Sequence, residues 1–182
     1  MMNYAFRMLL TFNATSLLLI IFYVKSGHTL GYFFPQCLWL AAIPKLSSNI
    51  IYLMVPILLT GLSILLSSML GKDEFKKGEV VSIEYANNSF LPSYLGYFFV
   101  ALSIGDSDTL FFVYGVLFAF TFLSQALYFN PLFLLFGFEF YNITTKNGAT
   151  IFLITRNQYK TPAEVEISEA YRINNYTFIE RG

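Results

Sequence analysis

Four stretches of this chain, residues 8–24, 50–70, 90–104 and 109–136, contain no Asp, Glu, Lys, Arg or His. That absence restricts the fold more than any motif does. A helix needs about 20 mostly apolar residues to cross a hydrocarbon layer about 30 Å thick. In lipid, only helices and closed barrels satisfy their own backbone polar groups. The expectation is a membrane protein, mainly α, with a four-helix transmembrane bundle over residues 1–137. The first stretch is short and carries Thr11, Asn13, Thr15 and Ser16; the third is also short, with Pro92 near its first turn. Only Arg7 precedes the first stretch closely, and no A-x-A pattern follows Val24, which favours a retained anchor over a cleaved signal peptide. Composition agrees, with 56% hydrophobic and 12% charged residues, where soluble domains carry about 25% charge.

Orientation follows from Lys and Arg, which stay on the cytoplasmic side. They gather at Arg7, at Lys72, Lys76 and Lys77 between the second and third stretches, and at Lys146, Arg156, Lys160, Arg172 and Arg181 in the tail. Lys25 and Lys45 alone fall on the other side, so both termini are expected in the cytoplasm. The outer turn GDSD supplies Asp106 and Asp108. A D-x-D can hold a divalent cation, yet few other oxygen ligands accompany it here; Asp108 as a helix cap is the simpler reading. Within the loop Lys25–Asn49 the run FFPQCLWLAAI is apolar but too short to span. The loop's Tyr32 and Trp39 suit the headgroup level, either sealing the bundle or forming a lid that, with Asp106 and Asp108, senses events outside.

Inside the stretches there is little chemistry. Transporters and pumps generally need ionisable residues at mid-membrane depth. Here Asn13, Ser124 and Gln125 are the strongest polar handles, and such residues more often bond neighbouring helices. Gly115 with Ala119, and Ser63 with Ser67, are small residues four apart that permit close helix packing. Pro56 and Gly61 allow a kink that neighbouring helices can satisfy. Gly71-Lys72 lacks the remainder of a phosphate loop, and no G-x-S-x-G or H-E-x-x-H occurs. The single Cys37 excludes an internal disulfide, and one thiol with one histidine, His28, argues against a zinc cage. His28 is expected to be solvated. Zero net charge gives no overall footprint for nucleic acid. No enzyme, cofactor, metal, small-molecule substrate or direct nucleic-acid contact is expected.

From Phe138 the pattern changes to alternation, which marks the exit from lipid. Residues 138–182 are expected to form a small antiparallel β domain on the cytoplasmic side. Asn147-Gly148 signals a two-residue hairpin, which sets Tyr141 opposite Ile154 and Ile143 opposite Phe152 on one face. Val165, Ile167, Tyr171 and Ile173 alternate with Glu164, Glu166, Ser168 and Arg172, and Glu169 breaks the pattern. Tyr176–Arg181 makes a further strand, and residues 78–86 of the inner loop can add another. Such a sheet can lie on anionic headgroups through Lys72, Lys76 and Lys77. Its acidic Glu164, Glu166 and Glu169 favour a protein partner instead, with Lys72, Lys76, Lys77, Tyr141, Arg156 and Arg172 as the further expected contacts.

The layout of four spans, the acidic outer turn, and NPLFLLFGFEFY at 130–141 running into KNGATIFLITR resembles the KwaA family, the membrane subunit of the Kiwa anti-phage defence system. The resemblance implies a bacterial inner-membrane protein, multi-pass and homotetrameric. It also implies a response to phage attachment or injection at the envelope, and a soluble cytoplasmic DNA-binding partner, KwaB. A non-enzymatic sensor and scaffold is the leading expectation. A small oligomeric pore and an accessory subunit of a transporter are the alternatives.

Overall fold

The computed structural model describes residues 2–124 and 130–181. Its elements are α1 (Met2–Ser26), α2 (Leu30–Phe33), α3 (Leu38–Ala41), α4 (Lys45–Leu66), β1 (Lys72–Phe75), β2 (Val80–Tyr85), α5 (Leu91–Ser103), α6 (Ser107–Ser124), α7 (Leu132–Leu135), β3 (Glu139–Thr145), β4 (Thr150–Thr155), β5 (Ile167–Arg172) and β6 (Thr177–Glu180). The fold is mixed α/β, not mainly α: a helical bundle carries a six-stranded sheet curled into a half-barrel.

Among the described residues three helices, Tyr4–Ser26, Lys45–Met69 and Ser107–Ser124, are long and apolar enough to cross a membrane, where four spans were expected. The expected span 90–104 yields only α5, 13 residues long, or about 20 Å at 1.5 Å per residue. The fourth expected span, 109–136, is described as α6 only up to Ser124. Residues 125–129, and Gln125 with them, lie outside the described residues. Beyond them Asn130 is buried beside α4, where its amide donates to the Thr60 hydroxyl at 2.8 Å and its carbonyl oxygen accepts from Leu132 N–H at 3.0 Å. The segment NPLFLLFG therefore packs as a separate short helix against α4, not as a continuation of α6.

α1 is the central helix and contacts α4, α5 and α6. Its polar residues face this interior: Thr11, Asn13, Thr15 and Ser16 are all buried. The hydroxyls bond carbonyls one turn back, Thr11 to Arg7, Thr15 to Thr11 and Ser16 to Asn13, at 2.8–2.9 Å. These bonds to the helix's own carbonyls satisfy the hydroxyls, and the Thr15 hydroxyl also meets the Tyr114 hydroxyl of α6 at 3.3 Å. Arg7 donates to the Phe122 carbonyl at 3.1 Å near the end of α6, while Lys25 donates to the Ile104 carbonyl at 2.9 Å just past α5. A cation on exposed C-terminal carbonyls is favourable. These two contacts define the ends of the bundle. The sheet lies at the Arg7 end, and α2, α3 and the GDSD turn lie at the Lys25 end.

The strand order is β1-β5-β6-β4-β3-β2. β1 and β2 are consecutive in sequence yet occupy opposite edges. In a flat six-stranded sheet those edges would stand about 24 Å apart. Residues 76–79 reach at most about 18 Å, so the sheet must curl. Phe75 of β1 and Val80 of β2 accordingly share one buried cluster with Tyr141, Ile143, Leu153 and Phe178, on the concave face. The convex face turns to the bundle: Phe140, Phe152, Ile154 and Ile179 share a core with Phe6, Leu10, Ile64 and Leu70. Residues on both sides of the expected boundary at 137/138 contribute to this core. Each fully buried side chain of this kind contributes about 1.5–3 kcal/mol.

Three features of the sheet depart from the expected pattern. The β3–β4 hairpin pairs Tyr141 with Leu153 and Ile143 with Ile151. Its loop has three residues, Lys146, Asn147 and Gly148, with Gly148 left-handed at φ +79. That is a turn with a bulge rather than a two-residue turn. A slip of one residue exchanges faces, so Tyr141 and Ile143 face the concave side while Phe152 and Ile154 face the bundle. Secondly, β4 and β6 run parallel, so the sheet is not purely antiparallel. The connection from β4 crosses the concave side, burying Val165 and packing Tyr159 there, before β5 returns. Thirdly, β5 carries a bulge: Ser168 and Glu169 together oppose Glu74. The bulge turns Glu169 outward.

Candidate functional site

The half-barrel offers a mouth and a pinned crossover. Between β1 and the β3–β4 turn lies a cleft of about 390 Å³, floored by Phe75, Ile151 and Phe178 and rimmed by Asp73, Glu74, Glu79 and Lys146. The crossover after β4 is held by Glu180, which is 7% exposed. Its carboxylate accepts the Asn157 amide at 2.8 Å, the Tyr159 hydroxyl at 3.0 Å, and the Thr155 hydroxyl. Burial, then the Glu180 charge, pushes the Tyr159 hydroxyl up to about 12. Tyr141 is likewise pushed up to about 12, by burial and then by its hydrogen bond to Glu139 at 2.7 Å. Both phenols stay protonated donors. Sequence reasoning missed this cluster. Its one visible signal was a carboxylate in a strand, TFIE, whose four residues are all buried.

The residues expected to meet a partner divide into four groups. Tyr141 is buried in the concave core. Several others are ion-paired: across the β1–β5 edge Lys72 with Glu169 at 2.6 Å and Arg172 with Asp73 at 3.8 Å, and along the β1 side Lys76 with Glu74 at 3.1 Å. The Lys72 hydrogen bond holds Glu169 below the usual carboxylate range. Glu164 closes a capping box over Thr161-Pro162, accepting Lys160 N–H at 2.8 Å, which lowers its pKa. Lys77, Arg156 and Glu166 are exposed, with the Arg156 guanidinium 4.7 Å from the Phe138 ring centre.

At the other end of the bundle, Tyr32, Leu38 and Trp39 are exposed at 61%, 84% and 71%. His28 packs beside Tyr32, ring centres 4.0 Å apart, rather than standing free in solvent. Asp106, not Asp108, caps α6: it accepts Thr109 N–H at 2.8 Å and the Thr109 hydroxyl at 2.9 Å. The residue just before the first helical turn is the one whose side chain meets the free amides; Asp108 sits within that turn. Among the described residues no group of His, Cys, Asp or Glu could hold a metal ion. Ser63 and Ser67 are buried between helices, whereas Gly115 and Ala119 lie on the outer face of α6. An apolar crevice of about 200 Å³ lies between α1 and α4, near Tyr23 and Tyr52.

The family model of the anti-phage protein KwaA matches residues 6–179. The chain belongs to the KwaA family. The match takes in the bundle, α7 and the strands as far as residue 179, so both parts of the fold are KwaA parts. No curated protein and no solved structure matches the chain.

Proposed function

We propose that this KwaA-family chain is a non-enzymatic sensor and scaffold in the bacterial inner membrane. Both termini and the half-barrel lie in the cytoplasm, where the sheet anchors a soluble, KwaB-like DNA-binding protein. The aromatic loop at the other end meets the outer leaflet and registers phage attachment or injection. The observation that carries this reading is the shared core. α1 runs from Lys25, beside the loop end of α5, to Phe6 and Leu10, which pack with the convex face of the sheet. A tilt at one end is thereby passed to the other through close-packed side chains. Self-association as a homotetramer uses the outer face of α6, where Phe111, Phe112, Phe120 and Leu123 are exposed. That face has no polar stripe among the described residues, which disfavours a pore. The ion-paired edge and the cleft bear no catalytic constellation; binding, not turnover, is the reading.

The test is co-expression with the soluble partner in cells challenged with phage. The partner sediments with membranes when the chain is present and stays soluble without it. Trp39→Ala with Tyr32→Ala retains the partner but loses protection. A partner that sediments equally without the chain contradicts the reading.

A further inference from the structure

We propose that the open edge of β1 and the cleft beside it accept an extended, basic segment of the soluble partner, which adds as a strand and narrows the gap in the half-barrel. This rests on the anchoring role above and assigns its contact.

β1 ends the strand order, so among the described residues it has a strand neighbour only on the β5 side. Lys72 lies opposite Tyr171, and Arg172 N–H bonds the Gly71 carbonyl at 2.8 Å. That combination makes Lys72–Tyr171 a non-hydrogen-bonded pair. The amide and carbonyl of Lys72 therefore point away from β5. Asp73, the next residue, bonds to β5, and by alternation Glu74 again points outward. Two residues thus present both backbone groups along an exposed edge, the template that strand addition uses. Their side chains are more than half exposed, at 55% and 62%.

The cleft sets the chemistry of the guest. Its floor of Phe75, Ile151 and Phe178 is apolar, and its rim carries Asp73, Glu74 and Glu79 against Lys146. Its size, about 390 Å³, suits one or two side chains of an extended peptide. The carboxylates of Asp73 and Glu74 have only exposed intrachain partners. Exposed pairs contribute little, so a guest Lys or Arg exchanges with them readily. At the cleft rim Asp73, Glu74 and Glu79 outnumber Lys146, which disfavours there the same carboxylates of a second copy and the phosphates of anionic lipid. The charged, four-residue edge also blocks indiscriminate pairing while admitting a strand of opposite charge.

The test compares partner affinity for the detergent-solubilised full chain and two variants. Glu74→Pro removes one outward N–H and leaves the Asp73 bond to β5; Pro is tolerated on that side of an edge strand. Asp73→Lys with Glu79→Lys reverses the rim. Each variant is expected to weaken binding at least about tenfold, with the melting temperature unchanged, and only the unaltered rim should give affinity that falls with salt. Binding equal to wild type in the charge-reversed variant overturns the proposal, whether or not Glu74→Pro folds. A change in the mass of the oligomer instead of partner binding also overturns it, because the guest is then a second copy. If the unaltered chain binds no partner, the anchoring role itself fails.

Discussion

Replacing Glu180 by Ala should unpin the crossover after β4, and the structure sets the size of the effect. Three donors, from Thr155, Asn157 and Tyr159, converge on this one buried carboxylate. Hydrogen bonds to a charged group contribute about 1.5–3 kcal/mol each. Two corrections reduce the total. Removing Glu180 also removes the cost of burying its charge, and exposed Asn157 finds water once released. The expected net loss is about 3 kcal/mol in the local closing of the crossover. That corresponds to a rise of roughly a hundredfold in the open population. Arg156 and Lys160 both lie in this segment and are exposed, so limited trypsin digestion reads the opening directly. When reclosing outpaces cleavage, the rate tracks the open population. Cutting at these two sites should accelerate roughly a hundredfold in Glu180→Ala. Tyr159→Phe, which removes one donor, should lose about 1.5 kcal/mol and give roughly tenfold. Glu166→Ala, at an exposed position away from the cluster, should change nothing. Equal cutting of Glu180→Ala and wild type would refute the pinning argument.

Other outcomes follow from the same geometry. Phe140→Ala, at a fully buried position stacked on Phe152 with ring centres 5.6 Å apart, should cost about 3–5 kcal/mol; bundle and sheet should then melt together at lower temperature by circular dichroism. Tyr141 and Tyr159, both pushed up to about 12, hold their protons more tightly folded than unfolded. Their contribution is complete below the ordinary value of 10.0 and is lost as pH rises through about 12; a phenolate absorbance titration should lose one late-titrating tyrosine in each of Tyr141→Phe and Tyr159→Phe, with the wild-type melting temperature falling over that window. Asp106 is held below its ordinary 3.8 by the Thr109 amide and hydroxyl; its support for α6 should persist above that value and vanish as pH falls through the folded one, whereas Asp106→Asn should melt without this acid step.

Much of this architecture was legible along the chain, and the failures have specific causes. The change of period at Phe138 did mark the start of β3, because lipid and sheet impose different repeats. The Asn147-Gly148 turn was also visible, but its one extra residue was not, and a single residue suffices to swap faces. Glu169 looked like an error in an alternating strand; it marks the bulge. The parallel pairing of β4 and β6 depends on where an 11-residue crossover returns, which local pattern does not encode. Nor did hydropathy separate α7 from the end of the expected fourth span, since both are equally apolar; Asn130, buried with its amide on Thr60, fixes α7 against α4. Charge spacing found the exposed ions of the sheet. It did not reveal that Lys72, Glu169, Asp73 and Arg172 pair among themselves, because that depends on β1 docking beside β5.

Sidedness is the property on which the scaffold reading stands. In a Cys37→Ser background, an Asn147→Cys variant places a thiol on the exposed β3–β4 turn, while the native Cys37 marks the loop at the other end. The account predicts that a membrane-impermeant maleimide added to spheroplasts labels the native protein at Cys37 and labels Asn147→Cys only after lysis. Labelling of Asn147→Cys in intact spheroplasts would contradict it.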